Sequence, residues 1–421
     1  MESNQTTFFS QHSNEIAEKI LKKHSIITDA QGQFYQFDSR VWQPISNYQL
    51  MQLAMSNDLP SAKASRRKEI ADYIRIKALK DPIPWNRISK TQVPVLNGVV
   101  DFITNKLEAH NEKYYLNKVL NIKYKPEEGC EMWLSVLNDL LGDDPEKIET
   151  LQLFFGYVLF PHAQFKKGLI CYGPSNTGKS LVAKVLELLV GQSNVCSIQI
   201  GAMSDPRALA PIKNKMVNII SELPENALMA EGGFKQLVST GDPVQIDPKN
   251  KPPETITPTC KHVIFTNTLP KIKDTTQAVY NRLLIIYFKN IIPESRQATD
   301  LICWLEEEID GIFNWALQGA KHLQRNQGKF PQSQRAKNEL QQYRDSQNPL
   351  TSWVTELLKP ADASAFISND ALFQSYSSFP DSEKITKARF ISLLKDAGYH
   401  TSRTRTVGKR RVGLHAYKLE K

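Results

Sequence analysis

The feature that most constrains the fold is the string GPSNTGKS at residues 173–180. It places Gly173, Gly178, Lys179 and Ser180 in the spacing G-x-x-x-x-G-K-(S/T), which is typical of loops that bind nucleotide phosphates. The apolar run before it predicts a buried strand, and the residues after it predict a helix with one apolar face. This context favours a phosphate-binding loop over an ordinary glycine turn before a helix.

Each part of such a loop has a physical role in holding phosphate. Glycines let backbone N–H groups turn inward, and the N-terminus of the following helix adds a positive dipole. We expect Lys179 to reach the β- and γ-phosphates of ATP, and Ser180 to bind Mg²⁺. The residues predicted to contact the nucleotide are Gly173, Pro174, Ser175, Asn176, Thr177, Gly178, Lys179 and Ser180.

Length and composition indicate a protein with several domains. A chain of 421 residues exceeds one ordinary hydrophobic core. Its net charge of +9 suits a phosphate-rich partner, although a merely basic protein would have the same charge. Five scattered cysteines without a C-x-x-C pair predict neither disulfides nor a zinc site. Without a signal-peptide pattern or a membrane-length apolar run, we expect a cytoplasmic protein with no membrane partner.

Changes of pattern along the chain divide it into five predicted segments. We expect α/β architecture in the segment with the loop, with mainly helical patterns before it. In the second segment, Trp133 and Phe154 lie on helix faces that favour core packing. One long amphipathic helix is predicted after residue 300, ending at Gly328. The segments are an N-terminal helical accessory region with one hairpin (1–94), a helical domain (95–163), an α/β core (164–290), C-terminal helices and a linker (291–347), and a C-terminal domain (348–421).

A second strand pattern ends in acidic and hydroxyl side chains. Residues 216–220 predict a buried strand, and Ser221 and Glu222 follow it. Ligands of parallel sheets bind at this carboxyl edge, so Glu222 is predicted to activate a water molecule for attack. Glu225 is a weaker candidate for this base, and an exposed glutamate without function is the open alternative. The predicted Mg²⁺ site consists of Ser180, Ser221 and Glu222. Many such ATPases carry an aspartate where this chain has Ser221, so this site would carry less negative charge.

Asn267 and Arg282 flank two further apolar strand patterns. The amide of Asn267 could bind both the attacking water and the γ-phosphate, although an asparagine in a turn is the plainer interpretation. Arg282 precedes its strand, and its guanidinium could stabilise transition-state charge on the γ-phosphate in a neighbouring subunit. A local salt bridge is the alternative for Arg282.

The segment GDPVQIDPKNKPPETITPTC predicts two short strands around a turn. Lys249 and Lys251 fall near the tip of this hairpin, where basic groups could contact a nucleic-acid backbone. A solvated turn is the alternative.

Taken in order, these motifs resemble the helicase part of phage and plasmid primase-helicases. Those proteins are superfamily 3 AAA+ helicases, related to the poxvirus primase-helicase. The resemblance covers residues 95–325 and rests on NGVVDF, YYLNKVLNIKYKPEEGCEMW, LFFGYVLF, CYGPSNTGKS, NIISELPE, FKQLVSTGDPV, VIFTNTLP and NRLLIIYF.

The resemblance implies an AAA+ P-loop NTPase core in a hexameric ring that hydrolyses ATP at subunit interfaces. By matching positions, it assigns catalytic roles to Lys179, Glu222, Asn267 and Arg282. It also assigns residues 241–258 to a pore hairpin, so that Lys249 and Lys251 would contact single-stranded DNA. Such helicases commonly follow a primase or primase-polymerase domain, which implies such a domain or subunit as a partner.

The C-terminal pattern is typical of a winged-helix module. A helix is predicted over residues 386–396, with Gly398 after it and a hairpin that turns near Gly408. A solvated basic hairpin or a protein-docking module is the alternative. The residues predicted to contact DNA phosphates here are Arg403, Arg405, Lys409, Arg410 and Arg411.

The combined prediction is an ATP-dependent replicative DNA helicase of phage or mobile-element type. Its cofactors would be ATP and Mg²⁺, and its substrates would be single-stranded and forked DNA in the cytoplasm of the host. An initiator or loader that ATP switches without unwinding remains an open alternative. A small-molecule P-loop kinase is a third possibility, against which the long hairpin and the basic tail count.

Overall fold

The N-terminal region combines helices with a small antiparallel sheet. The computed structural model of the protein describes residues 11–55, 64–142, 144–239, 241–273, 277–293, 300–331, 334–380, 382–406 and 409–420. The first elements are α1 Gln11–Lys23, β1 Ile26–Thr28, β2 Phe34–Phe37, β3 Trp42–Ile45, α2 Asn47–Met55 and α3 Ala64–Lys77. Strands β2 and β3 form the predicted hairpin, in which Phe37 pairs with Trp42. Apolar residues of α1 and α3 share one core with those of this sheet.

The next segment begins with strands, which corrects the expectation of a helical domain over residues 95–163. Its elements are β4 Gln92–Val95, β5 Gly98–Asp101, β6 Lys106–Glu108, α4 Glu131–Leu141 and α5 Pro145–Leu159. The three strands form an antiparallel meander, in which Val95 pairs with Gly98 across a two-residue turn. Pro94 pairs with Val99, so the boundary predicted after residue 94 falls inside β4. Trp133 and Phe154 are fully buried, as predicted.

A five-stranded parallel sheet forms the centre of the following segment. The elements are β7 Gly168–Tyr172, α6 Lys179–Val190, β8 Val195–Cys196, α7 Pro206–Leu209, β9 Val217–Ile220, α8 Glu231–Leu237, β10 Val244–Ile246, β11 Glu254–Ile256, β12 Lys261–Thr266, α9 Gln277–Tyr280 and β13 Leu283–Tyr287. The strand order is β13-β7-β12-β9-β8, and all neighbours are parallel. The α/β prediction for this segment is confirmed.

Hydrophobic cores cover both faces of this sheet. Along β12, Val263 and Phe265 belong to one core, while Ile264 belongs to the other. The first core includes apolar residues of α4, α5, α6 and α11 Ile309–Arg325, and the second includes those of α8. Packing on both faces explains why every residue of β9 and β12 is buried, rather than every second one.

The long amphipathic helix predicted after residue 300 is divided at Glu308. The elements of this part are α10 Leu301–Glu307, α11 Ile309–Arg325 and α12 Gln334–Ser346. The Glu308 carboxylate accepts hydrogen bonds from the backbone N–H groups of Met132 and Trp133, at 3.1 and 3.0 Å. It thereby satisfies the free N-terminus of α4, a contact that a continuous helical pattern does not reveal. Within the described ranges, no helix is both long and apolar enough to cross a bilayer.

The C-terminal region has a core of its own. Its elements are α13 Thr351–Leu357, β14 Leu358–Pro360, β15 Phe366–Ser368, α14 Asn369–Ser377, α15 Lys387–Asp396, β16 Ser402–Thr406, β17 Lys409–His415 and β18 Tyr417–Leu419. Thr386 caps α15, so this predicted helix is present, and β16 pairs with β17 as a hairpin. The turn predicted near Gly408 lies outside the described residues, as do the side chains of Arg403, Arg405, Lys409, Arg410 and Arg411. Their contact with DNA stays a prediction.

Candidate functional site

A cleft of about 770 Å³ lies at the carboxyl ends of β7, β9 and β12. Because these strands are parallel neighbours, the residues that follow them meet at one edge of the sheet. The predicted site residues that line this cleft are Ser175, Asn176, Thr177, Gly178, Lys179, Ser180, Ser221, Glu222 and Asn267.

Two glycines give the loop between β7 and α6 its shape. Gly173 has a φ of +150°, and a Cβ there would approach the Phe288 carbonyl oxygen to 2.1 Å. Gly178 has a φ of +78°, and a Cβ there would lie 2.4 Å from a side-chain carbon of Leu140. A larger residue at either position would therefore be strained and would also displace its neighbours.

Lys179 is folded into this loop. Its side chain is buried, and its Nζ donates to the carbonyl oxygens of Gly173 and Pro174, at 2.8 and 2.6 Å, and to Thr177 Oγ1, at 3.2 Å. These acceptors are all neutral, and no carboxylate in the described part of the chain pairs with the ammonium group. Burial lowers the pKa of Lys179. The positive charge, together with the N-terminus of α6, suits a negatively charged ligand.

Ser221, Glu222 and Asn267 present exposed side chains at the same edge. The amide nitrogen of Asn267 donates to Ser175 Oγ, at 3.3 Å, and so connects the end of β12 to the loop. Glu225 lies in the turn that follows and is not among the residues lining the cleft. Geometry therefore favours Glu222 over Glu225 as the acidic group of the cleft.

The oxygen atoms at this edge are of the kind that Mg²⁺ prefers. Ser180, Ser221 and Glu222 offer two hydroxyls and one carboxylate. Among the described residues, no group of three or more His, Cys, Asp or Glu side chains could hold a metal. These donors fit an ion that keeps several waters and binds mainly to substrate phosphates.

Arg282 lies at the opposite edge of the sheet. Its carbonyl oxygen accepts from the Gly168 N–H at the start of β7, and its Nη1 donates to the Ala278 carbonyl oxygen, at 2.6 Å. It does not line the cleft, and the described residues supply no carboxylate partner for its guanidinium. The structure therefore does not bring Arg282 to the cleft of its own chain.

The predicted hairpin is formed by β10 and β11, with Lys249 and Lys251 exposed in the connecting loop. Ion pairs attach both strand ends to the α7 segment. Arg207 Nε lies 3.0 Å from an Asp247 oxygen, and Lys213 Nζ lies 2.5 Å from a Glu254 oxygen. These ion pairs therefore hold the loop ends of both strands, where Ile246 pairs with Glu254, while the lysines of the tip are exposed to solvent.

Several lining residues were not predicted. Lys184 lies one turn after Ser180 on α6, so helical spacing could have indicated it. Leu301 and Ile302 come from α10, more than one hundred residues after the loop, and form an apolar wall of the cleft together with Ile292. No local signal in the sequence identifies these three residues.

Two protein-family models match separate parts of the chain. A model described as D5 N terminal like matches residues 3–142. A model described as a family of unknown function (DUF5906) matches residues 171–282, the segment from β7 to Arg282. The first match supports the resemblance to phage and plasmid primase-helicases at the level of the protein group.

Similar proteins are known by sequence and by structure. The uncharacterized mitochondrial protein ymf21 of Marchantia polymorpha is 24% identical over 132 residues, covering 28% of this chain and 73% of that protein. An apo structure of the NrS-1 C-terminal region covers 97% of this chain and 100% of that chain, with a TM-score of 0.59 and 14% identity. The A form apo structure of the same region covers 95% of this chain and 98% of that chain, with a TM-score of 0.57 and 14% identity. The fold of almost the whole chain is therefore shared with that region.

Proposed function

We propose that the protein is an ATP-dependent DNA helicase of the superfamily 3 AAA+ class, which forms a hexameric ring and moves along single-stranded DNA. The observation that carries this proposal is the cleft, where a buried lysine with neutral acceptors, a carboxylate and an amide converge at the carboxyl edge of a parallel sheet. The D5-like match and the NrS-1 fold support the same group of proteins.

Lys179 would change partners when ATP binds. Its present acceptors are neutral oxygens of the loop, whereas phosphate oxygens are charged and form hydrogen bonds about twice as strong. The γ-phosphate would therefore draw the ammonium group out of the loop. The apolar wall of Leu301, Ile302 and Ile292 offers a surface for the base of the nucleotide.

Glu222 would accept the proton of the water that attacks the γ-phosphate, and Asn267 would hold that water by its amide. Bound Mg²⁺ would neutralise phosphate charge as the terminal P–O bond breaks. Ser180, Ser221 and Glu222 would hold this ion, directly or through water.

Arg282 would act on the cleft of a neighbouring subunit. Its position at the far edge of the sheet excludes the cleft of its own chain but suits a ring in which that edge faces the next subunit. Closure of the interface on ATP would move the hairpin that carries Lys249 and Lys251, and hydrolysis would release it. Each cycle would then advance the ring along one DNA strand.

The test is ATP hydrolysis measured with and without single-stranded DNA, together with separation of a forked duplex that carries a fluorophore and a quencher. DNA-stimulated hydrolysis with ATP-dependent strand separation is the expected result. Hydrolysis without separation would support the switched initiator or loader instead. Absence of hydrolysis in a sample that forms rings would contradict both functions.

A further inference from the structure

A second cavity, of about 200 Å³, lies at the amino-terminal edge of the parallel sheet. Residues around the starts of β9 and β12 form one wall, and residues 85–94 and 118–120 form another. It is therefore separated from the cleft by the length of the strands, and its residues have no role in the proposed hydrolysis.

The lining of this cavity contains three basic side chains, Lys118, His162 and Lys261. No aspartate or glutamate lines it, and within the described ranges neither lysine has a carboxylate at ion-pair distance. Lys261 is only 2% exposed. A buried ammonium group without a negative partner is strongly unfavourable. The lysines of this cavity therefore lack an anion that would compensate their charge.

The hydrogen bonds of the two lysines leave donors unused. Lys118 Nζ donates to the Asn214 carbonyl oxygen, at 2.6 Å, and Lys261 Nζ donates to that of Phe160. An ammonium group has three N–H donors. One hydrogen bond to a neutral oxygen therefore leaves two donors of each lysine unused. The Lys261 ammonium also lies 5.5 Å from the centre of the Tyr157 ring, which is a weak partner.

Electrostatics agrees with this geometry. Burial, with a smaller contribution from the charge of Lys215, lowers the pKa of Lys118 to about 8. Burial, with a smaller contribution from the charge of Lys118, lowers the pKa of Lys261 to about 7. The two lysines therefore repel each other across a cavity that a negative ligand would stabilise.

We propose that this cavity binds a phosphate group, carried either by a small molecule or by the end of a nucleic-acid strand. A phosphate supplies both the missing charge and several acceptors for the spare ammonium donors. Side-chain amides of Asn86, Gln92 and Asn194 also line the cavity and could donate to the remaining oxygens. At about 200 Å³ the cavity is below the usual size for drug-sized ligands, which suits a phosphate or pyrophosphate.

The experiment measures pyrophosphate binding by titration calorimetry to the full chain carrying Lys179→Ala, which removes the lysine of the other anion site. Adding Lys118→Met should weaken binding about tenfold or more, the value of one strong charge-assisted contact. Lys118→Arg, which keeps the charge, should retain most of the affinity. Lys167→Met is the matched control. Lys167 Nζ also donates to a carbonyl oxygen at this edge of the sheet, that of Asn281, at 2.6 Å, but Lys167 does not line the cavity.

A second pair of variants keeps the test valid if Lys118→Met does not fold. Thr259 is half-buried and lines the cavity. Thr259→Glu would supply an internal carboxylate to the lysines, so it should abolish pyrophosphate binding and raise the melting temperature. Thr259→Gln introduces a side chain of similar size without the charge, so it should neither abolish pyrophosphate binding nor raise the melting temperature.

Oligonucleotides then distinguish the two sources of phosphate. Binding of a short oligo-dT that depends on its 5′-phosphate and on Lys118 would identify a strand end, whereas pyrophosphate binding alone would identify a small molecule. Equal pyrophosphate affinity with and without Lys118→Met and Thr259→Glu would overturn the proposal. An absence of saturable binding at millimolar pyrophosphate would overturn it as well.

Discussion

Lys179 and Glu222 have separable roles in the proposed site. Lys179 is buried in the loop, whereas Glu222 is an exposed carboxylate across the cleft. We expect Lys179→Ala to lose ATP binding. Glu222→Gln should bind ATP normally but hydrolyse it about 100-fold more slowly or worse, because a general base contributes at least that factor. Binding of a fluorescent ATP analogue and steady-state phosphate release measure the two effects.

Glu225→Gln is the matched control for this prediction. It removes the same charge three residues away but does not alter the cleft. Normal turnover in Glu222→Gln, or an equal loss in Glu225→Gln, would refute the assignment of Glu222.

His262 gives the fold a dependence on pH. It is fully buried on β12, its Nδ1 lies 3.3 Å from the amide nitrogen of Asn218, and burial lowers its pKa to about 4. An unfolded histidine has a pKa near 6.5, so the unfolded chain takes up a proton first as the pH falls. The stability from neutral His262 is therefore present above about pH 6.5 and is lost towards pH 4, by about 3 kcal/mol in total.

Urea unfolding at about pH 7.5 and about pH 5 measures this effect. The free energy of unfolding of the wild type should fall by about 2 kcal/mol more than that of His262→Leu. Asn218 remains satisfied in the variant because its amide also donates to the Ile198 carbonyl oxygen, at 3.0 Å. Parallel pH profiles for the two proteins would contradict the burial argument.

At the scale of elements, the β10–β11 hairpin is the predicted DNA contact. Removing both tip lysines, with Lys249→Ala and Lys251→Ala, should weaken single-stranded DNA binding and reduce DNA-stimulated hydrolysis. Hydrolysis without DNA should persist, since neither lysine lines the cleft. The slope of log affinity against log salt should become shallower by about 0.7 for each DNA phosphate that the protein no longer neutralises.

Lys19→Ala with Lys22→Ala is the control for this pair. Both residues are exposed on α1, so the double variant makes the same change in net charge on a different element. If both double variants change the salt slope equally, net charge rather than the hairpin explains DNA binding.

Helices α5 and α11 approach closely at two glycines. A Cβ at Gly156 would lie 2.2 Å from the Ala320 backbone nitrogen, and one at Gly319 would lie 2.2 Å from the Gln152 carbonyl oxygen. Gly156→Ala should therefore lower the free energy of unfolding by about 1–3 kcal/mol, the usual cost of overpacking.

Gly232→Ala is the control, measured by the same denaturant titration. Gly232 lies on α8, and no heavy atom of the described residues comes within 4 Å of its added Cβ. Alanine there should leave the stability unchanged or raise it by up to about 1 kcal/mol through helix propensity. Equal effects of the two substitutions would show that the contact between α5 and α11 can relax.

At the scale of the whole molecule, Arg282 links activity to assembly. Arg282→Ala should fold, bind ATP and hydrolyse it about 1,000-fold more slowly or worse, the range for removal of an arginine finger. Mixing it with Lys179→Ala should restore part of the turnover, because an intact Arg282 then meets an intact Lys179 across some interfaces. Phosphate release from the mixture, compared with each variant alone, measures this complementation.

Failure of the mixture to exceed the separate variants would contradict action between subunits. Full activity of Arg282→Ala alone would remove the residue from the reaction altogether.

The sequence by itself determined the local parts of the candidate site. The strand before residue 173, the helix after it and the strands that precede Ser221 and Asn267 were all predictable, because each is a short apolar run beside polar residues. Their common edge was also predictable, since carboxyl ends of parallel strands coincide. The paired strands around Lys249 and Lys251 followed from the turn residues between them.

Only the tertiary structure decided the features that depend on distant contacts. The wall of Leu301 and Ile302, the division of a long helical pattern at Glu308 and the position of Arg282 away from its own cleft all arise from packing between segments far apart in sequence. The same holds for the two lysines of the second cavity. Apolar periodicity specifies which face of an element is buried, but which other element buries it depends on the free energy of the assembled core.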